Sequence, residues 1–465
     1  MLGLDQNELK LVSLKEFDLL DAPDVPRAGP RQLRERRGVD PSLFASGGVF
    51  VDGVLGYAIA RKDVLSRITK AKQQPPFSHM PRPYDNWTVE VDIDDEARSN
   101  DGNGNAENNG EGAGKSSSGI NKSPPLSDSK SVGRNAAKAG DAIADAVPLS
   151  LPDSPWYLQD QQWPEELGTD VKVAVLDSGV QPHKQLKRHD DGSDFCSCAG
   201  PGTLRQDISS ILHGTRCAGV VAAIGPQGRI SPAPECDLLS ACVMRKQQQP
   251  NNNSRITTSQ ADVLLMLSWA VEMGARVINM SITFKRLPDE EMKLLTDAVK
   301  NIREQDLALV FAAAKLDGEE VSQPGCLDKI VGVGEYSGGT KSQATTGNGL
   351  SWNKGELLFG PGSWVASVQV GTFPQFFTEP SAACAFTSGV AALYVQRYWD
   401  ENSKGNVEKI LQRMFADAKN LTEASGGKRR LAVQLPKPPK RDQAGVPAPL
   451  RQQRRQFTPG FPPPQ

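Results

Sequence analysis

Five short apolar runs, "VKVAVLDSGV", "DLLSACVM", "ARVINMSI", "LALVFAAA" and "KIVGVG", recur between residues 171 and 334. Stretches of helical period lie between them, among them "SQADVLLMLSWAVEMG" and "EEMKLLTDAVKNIREQ". Apolar strands alternating with amphipathic helices can bury their faces only by building a mainly parallel sheet covered by helices on both sides. The predicted fold class is therefore α/β, with a three-layer α/β/α core. In such sheets ligands sit at the carboxyl ends of the strands, so polar residues there are the candidates for chemistry.

The rest of the chain is organised around this core. Residues 1–96 read as a small α+β region. "GGVFVDGVLGYAIARKDVLSRITKAK" predicts a strand or hairpin running into a helix, and "WTVEVDI" places Val89, Val91 and Ile93 on one face. Residues 97–146, centred on "DGNGNAENNGEGAGKSSSG", hold too little apolar surface to offset the entropy of ordering and are expected to be a disordered linker. The core domain is expected over 147–434. Residues 435–465, "PKPPKRDQAGVPAPLRQQRRQFTPGFPPPQ" after Leu435, predict an extended Pro/Arg-rich tail. Its "PKPPKR" is a candidate ligand for a proline-recognition domain, although a solvated tail has the same composition.

A formal net charge of −2 gives no global electrostatic footprint for nucleic acid or an anionic membrane. No apolar run reaches the length of a membrane span, and the start, "MLGLDQNELKLVSLKEFDLL", is too interrupted by charge for a signal peptide. The seven cysteines are odd in number, so they predict buried thiols rather than a disulfide framework.

Three residues stand out at the expected strand ends. Asp177 closes the run "VAVLD", His213 opens the small-residue helix "HGTRCAGVVAA", and Ser381 opens "SAACAFTSGVAALYV". Each has a structural reading, as turn acid or helix cap. Together they are the types that acyl transfer needs. A serine hydroxyl is a poor nucleophile until a histidine takes its proton, and an acid must hold that histidine in the right tautomer.

In order and spacing, "VAVLDSGV", "HGTRCAG", "VINMS" and "SAACAFTSGVAALYV" resemble the motifs of the subtilisin-like serine peptidases, with a histidine motif similar to the kexin and furin branch. The resemblance implies Asp177 as orienting acid, His213 as general base and Ser381 as nucleophile, acting on a polypeptide. The calcium-binding loop common in the family after the histidine helix is not expected here, because "AAIGPQGRISPAP" is short, so no metal or other cofactor is expected. It also implies a substrate groove walled by Ser281, Ile282, Thr283, Phe284, Ala312, Ala313 and Ala314. If residues 1–96 correspond to the family's propeptide, they would fold as an inhibitor and chaperone.

The chain departs from the family pattern at three places. Family members carry Gly-Thr-Ser at the nucleophile, and here Glu379 and Pro380 precede Ser381. Where the family has Ala-Ala-Gly-Asn, Lys315 and Leu316 replace the last two residues, and leucine offers no donor to an oxyanion. Glycines of the groove strand are replaced by Thr283 and Phe284, whose side chains narrow the path of an added peptide strand. Two functions follow as alternatives: a serine endopeptidase weakened in its oxyanion hole, or an inactive pseudopeptidase that binds peptides or partner proteins.

Overall fold

The structure, a computed structural model, describes residues 8–14, 27–31, 48–65, 84–91, 156–158, 162–187, 194–196, 206–225, 228–248, 254–317, 320–336, 356–368, 376–421 and 431–437. The expected linker over 97–146, and the tail after residue 437, lie outside the described residues.

The strand Lys172–Asp177 shows how the sequence builds the layers. Its Val173 and Val175 enter one apolar core and its Ala174 and Leu176 another, because alternate strand residues face opposite sides of the sheet. The first core is closed by the helices His213–Ala222 and Pro380–Tyr398, the second by Gln260–Glu272 and Asp289–Glu304. The result is the expected three-layer arrangement.

Among the described residues, nine strands form this sheet. In spatial order they are Lys419–Asn420, Leu431–Ala432, Glu356–Pro361, Val331–Tyr336, Leu309–Ala313, Val277–Met280, Lys172–Asp177, Asp237–Cys242 and Asp194–Cys196. All neighbours are parallel except the outermost pair, Lys419–Asn420 with Leu431–Ala432. Lys172–Asp177 is flanked by Asp237–Cys242 on one side and Val277–Met280 on the other. The chain therefore leaves this strand in one direction and later returns past it. Such a switch of direction opens a crevice at the carboxyl ends, and Asp177 is the last residue of the strand there.

The helix Pro380–Tyr398 is buried at every residue from Ser381 to Val395. Its alanines, cysteine and glycine let it run close beneath the sheet, and Pro380 starts it at the first helical position, where a missing N–H costs nothing. Proline in place of the family's threonine is thus compatible with the helix start.

A second, five-stranded sheet comes from the N-terminal residues, in the order Arg27–Ala28, Val49–Asp52, Tyr57–Arg61, Leu9–Ser13, Tyr84–Asp85. The hairpin expected near residue 50 is the antiparallel pair Val49–Asp52 and Tyr57–Arg61. Leu9, Leu11, Phe50, Tyr57 and Ile59 share a core with the helices Gln260–Glu272 and Asp289–Glu304, while Val12, Val49, Ala58 and Ala60 form a separate cluster. Polar contacts pin the docking. The Tyr57 hydroxyl donates to the Leu264 carbonyl at 2.8 Å, Ser268 Oγ donates to Asp52 Oδ2 at 2.5 Å, and Asn301 Nδ2 donates to the Leu55 carbonyl at 2.8 Å.

The N-terminal chain then reaches the rim of the crevice. Asn86 Oδ1 accepts the Ala261 N–H at the start of a helix, and the Trp87 indole donates to the Glu291 carbonyl. Thr88–Glu90 adds as an antiparallel strand to Ser254–Ser259, which pairs on its other edge with Met244–Gln248. Ile93, expected to continue this strand, lies outside the described residues.

Candidate active site

Asp177 and His213 meet because a strand end and a helix start are brought unusually close. A Cβ on Gly214 would lie 2.2 Å from the Gly179 carbonyl oxygen and 3.1 Å from Asp177 Oδ1. Gly179 itself has φ of 101°, a left-handed region that favours glycine. With both residues as glycine, Asp177 Oδ1 reaches His213 Nδ1 at 2.8 Å, and both side chains are fully buried.

Asp177 Oδ1 also accepts the Ser178 N–H at 2.7 Å. Its Oδ2 and the His213 Nε2 have no hydrogen-bond partner among the described residues. Burial alone would push the imidazole down, but the adjacent Asp177 carboxylate overcomes this and holds it well above the ordinary histidine value. Cys217, one helical turn below His213, has Sγ 3.8 Å from Nδ1, and burial pushes its thiol up to about 12. The donor atoms of Asp177, His213 and Cys217 lie within 4.8 Å of one another. Since Asp177 and His213 spend those atoms on each other and the thiol keeps its proton, the trio is a supported imidazole rather than a metal centre.

Ser381 is the second residue of its helix and is buried. Its helix uses no side-chain cap, so the serine is not the cap that its sequence position suggested. Ser381 Oγ donates to the Ser281 carbonyl at 3.1 Å, and Ser281 Oγ donates back to the Ser381 carbonyl at 3.0 Å. Asn279 Nδ2 donates to Ser281 Oγ at 3.0 Å, so the groove strand and the serine helix are tied together. The group facing His213 Nε2 is instead Glu379, whose Oε2 stands 3.7 Å away.

The remaining candidates fall around this centre. Ile282 and Thr283 are buried, and Phe284 N–H donates to the Gln323 carbonyl at 3.0 Å. The Phe284 ring packs on Trp87 with centroids 5.4 Å apart, so it is engaged by the N-terminal segment. Ala312 and Ala313 close their strand with side chains in opposite cores, and Ala314 packs with Val321. The Lys315 N–H donates to Ser322 Oγ at 3.0 Å, and Leu316 begins a two-residue strand paired with Glu320–Val321.

Sequence reading missed Asp207. The His213 helix starts from Leu212 at φ of 54° and uses no side-chain cap of its own residue. Asp207 does that work from the preceding loop: Oδ2 accepts both the N–H and the Oγ1 of Thr215 at 2.8 Å. Its Oδ1 accepts Ser178 Oγ at 2.7 Å, and that hydroxyl in turn accepts the Gly214 N–H at 3.0 Å. One carboxylate thereby fixes the helix start and the turn after Asp177. The only sequence signal was an Asp followed by serines ahead of a helix, a pattern too common to single out.

Burial pushes Asp207 up to about 6, above its ordinary 3.8. The native state therefore holds this proton more tightly than the unfolded chain does. Stability from this group is full below about pH 4 and falls as pH rises through about 6, by roughly 3 kcal/mol in all. Urea unfolding of wild type and Asp207→Asn at pH 4 to 8 should show wild type losing roughly 3 kcal/mol relative to the variant between about pH 4 and 6, with no further change above that window. A difference independent of pH would refute the assignment.

The model of the subtilase family (peptidase S8) matches residues 168–431, more than half of the chain, and the chain belongs to that family. It is 29% identical over 244 residues to an intracellular serine protease of Paenibacillus polymyxa, covering 50% of this chain and 69% of that one. To the serine protease AprX of Bacillus subtilis it is 25% identical over 269 residues, covering 50% and 58%. Among solved structures, MycP1 from Mycobacterium smegmatis is similar at 19% identity, with a TM-score of 0.45, covering 64% of this chain and 91% of that one.

Proposed function

We propose that this chain is a subtilisin-type serine endopeptidase acting on polypeptides, with Asp177 as orienting acid, His213 as general base and Ser381 as nucleophile, and with turnover held down by a depleted oxyanion hole. The observation that carries this reading is the fully buried 2.8 Å bond from His213 Nδ1 to Asp177 at the carboxyl end of the central strand. It leaves Nε2 as the nitrogen that accepts the Ser381 proton when the hydroxyl attacks the peptide carbonyl. Negative charge then develops at the start of a long helix, where free N–H groups and the macrodipole favour it. Leu316, in the position of the family's asparagine, donates nothing, and losing one such donor costs about 10² to 10³ in turnover.

Residues 1–96 are read as a propeptide-like unit. Thr88–Glu90 adds to the edge strand Ser254–Ser259 as a bound peptide would, and Trp87 covers Phe284. The linker over 97–146 would then be the processing region. The "HGTRCAG" motif is read as kexin-like, with Cys217 under the base and Arg216 packing its guanidinium 4.4 Å over Phe377, whose ring meets His213 edge-on.

A second reading, the pseudopeptidase, is favoured by one observation: Ser381 Oγ is bonded to Ser281 rather than to His213. Labelling with a fluorophosphonate probe separates the two. The active reading expects labelling of wild type, none of Ser381→Ala, and faster labelling of Trp87→Ala, which loosens the added strand. Folded wild type and Trp87→Ala that both stay unlabelled from neutral to alkaline pH would establish the pseudopeptidase.

A further inference from the structure

We propose that Glu379 is a positioning residue for the base: its carboxylate holds the Nε2 side of His213, so the resting imidazole is clasped between two carboxylates while the Ser381 hydroxyl is parked on Ser281. This rests on the serine-peptidase reading.

The sequence fixes where this carboxylate points. Pro380 occupies the first helical position and keeps the preceding residue extended, with Glu379 at φ 164° and ψ 164°. The Glu379 N–H donates to the Gly362 carbonyl at 2.7 Å, and its carbonyl accepts the Ala382 N–H at 3.0 Å. With the backbone held at both ends, the side chain enters the crevice, is 9% exposed, and places Oε2 3.7 Å from Nε2. Glu-Pro therefore acts as a unit. A glycine at this position, as in the family pattern, has no side chain to send there.

Among the described residues, three titratable groups face the ring, and the buried Arg216 guanidinium stands behind Phe377, 4.4 Å over its ring. Asp177 faces Nδ1 from the sheet, Cys217 lies below on the same helix, and Glu379 faces Nε2 from the serine loop. Asp207 stands one residue further out, through Ser178. Cys217 keeps its proton at neutral pH, so the charges in contact with the ring are two carboxylates. Both favour imidazolium, the form that cannot accept the Ser381 proton. The chemical step then requires Nε2 to lose its proton first, and productive turnover moves to alkaline pH. Phe377, edge-on to the ring at 5.5 Å, excludes water from one side and keeps the electrostatic contacts strong.

The test reads the proton directly, so it does not depend on activity. Full-length protein labelled with ¹⁵N-histidine is titrated by NMR, with His213 assigned through His213→Ala. Wild-type His213 is expected to keep both nitrogens protonated through neutral pH. In Glu379→Gln, of nearly the same shape, its titration should fall by about 1 to 3 pH units. Glu379→Gly serves if the glutamine variant fails to fold. The proposal is overturned if His213 titrates in either variant as in wild type, or if wild-type His213 is already neutral at pH 7. Fluorophosphonate labelling of the same samples distinguishes the two readings. A lowered titration with faster labelling at neutral pH supports both, and a lowered titration without labelling keeps the clasp while removing the peptidase.

Discussion

Turnover of a peptide substrate is expected to fall by about 10⁶ when His213 is replaced by alanine, the scale on which a triad fails when its base is removed. The reason lies in the geometry of the pair. Asp177 Oδ1 is spent on Nδ1 at 2.8 Å and on the Ser178 N–H, and among the described residues Ser381 Oγ has no other base in contact, since its partner is the Ser281 carbonyl. The fold should survive because the helix start is held from Asp207 through Thr215 and not through the imidazole. Hydrolysis of a peptide library by the folded variant, with circular dichroism as control, makes the measurement. A loss of less than about tenfold would mean that the hydrolysis has another origin and that the triad assignment is wrong.

The second large effect is a gain. Leu316→Asn should raise turnover by about 10² or more with little change in KM, because an oxyanion donor acts mainly on the transition state. Changing Glu379 and Pro380 together to Gly and Thr should add to it by freeing Nε2 and restoring the family hydroxyl. Leu316 opens the two-residue strand Leu316–Asp317, with Ala314 and Lys315 between it and the end of the buried strand Leu309–Ala313. If the groove is blocked, neither repair helps until Thr283 and Phe284 also become glycine. Steady-state kinetics of the single and combined variants decide. Folded proteins that all remain at the uncatalysed rate would retire the peptidase reading in favour of peptide binding.

Much of the fold was legible in the sequence because it rests on periodicity. The five apolar runs fall on the strands that end at Asp177, Cys242, Met280, Ala313 and Tyr336, and both quoted helical stretches fall on helices. The strand Glu356–Pro361 was not picked out: "ELLFGP" is short and ends in Gly-Pro, which reads as a turn. Nor was the hairpin Met244–Gln248 with Ser254–Ser259. Its polar residues give no apolar alternation, and the partner strand Thr88–Glu90 comes from more than 150 residues away.

What the sequence determined by itself was the layer architecture, the family motifs and the three residue types of the site, since pattern and side-chain chemistry are local properties. Which atoms meet was decided only by the tertiary structure. Whether Ser381 faced His213 or Ser281, that Glu379 would take the free side of the imidazole, and that Asp207 would brace the helix all depend on where a strand end and two helix starts converge. Those distances are set by packing between segments far apart in the chain, and no local signal encodes them.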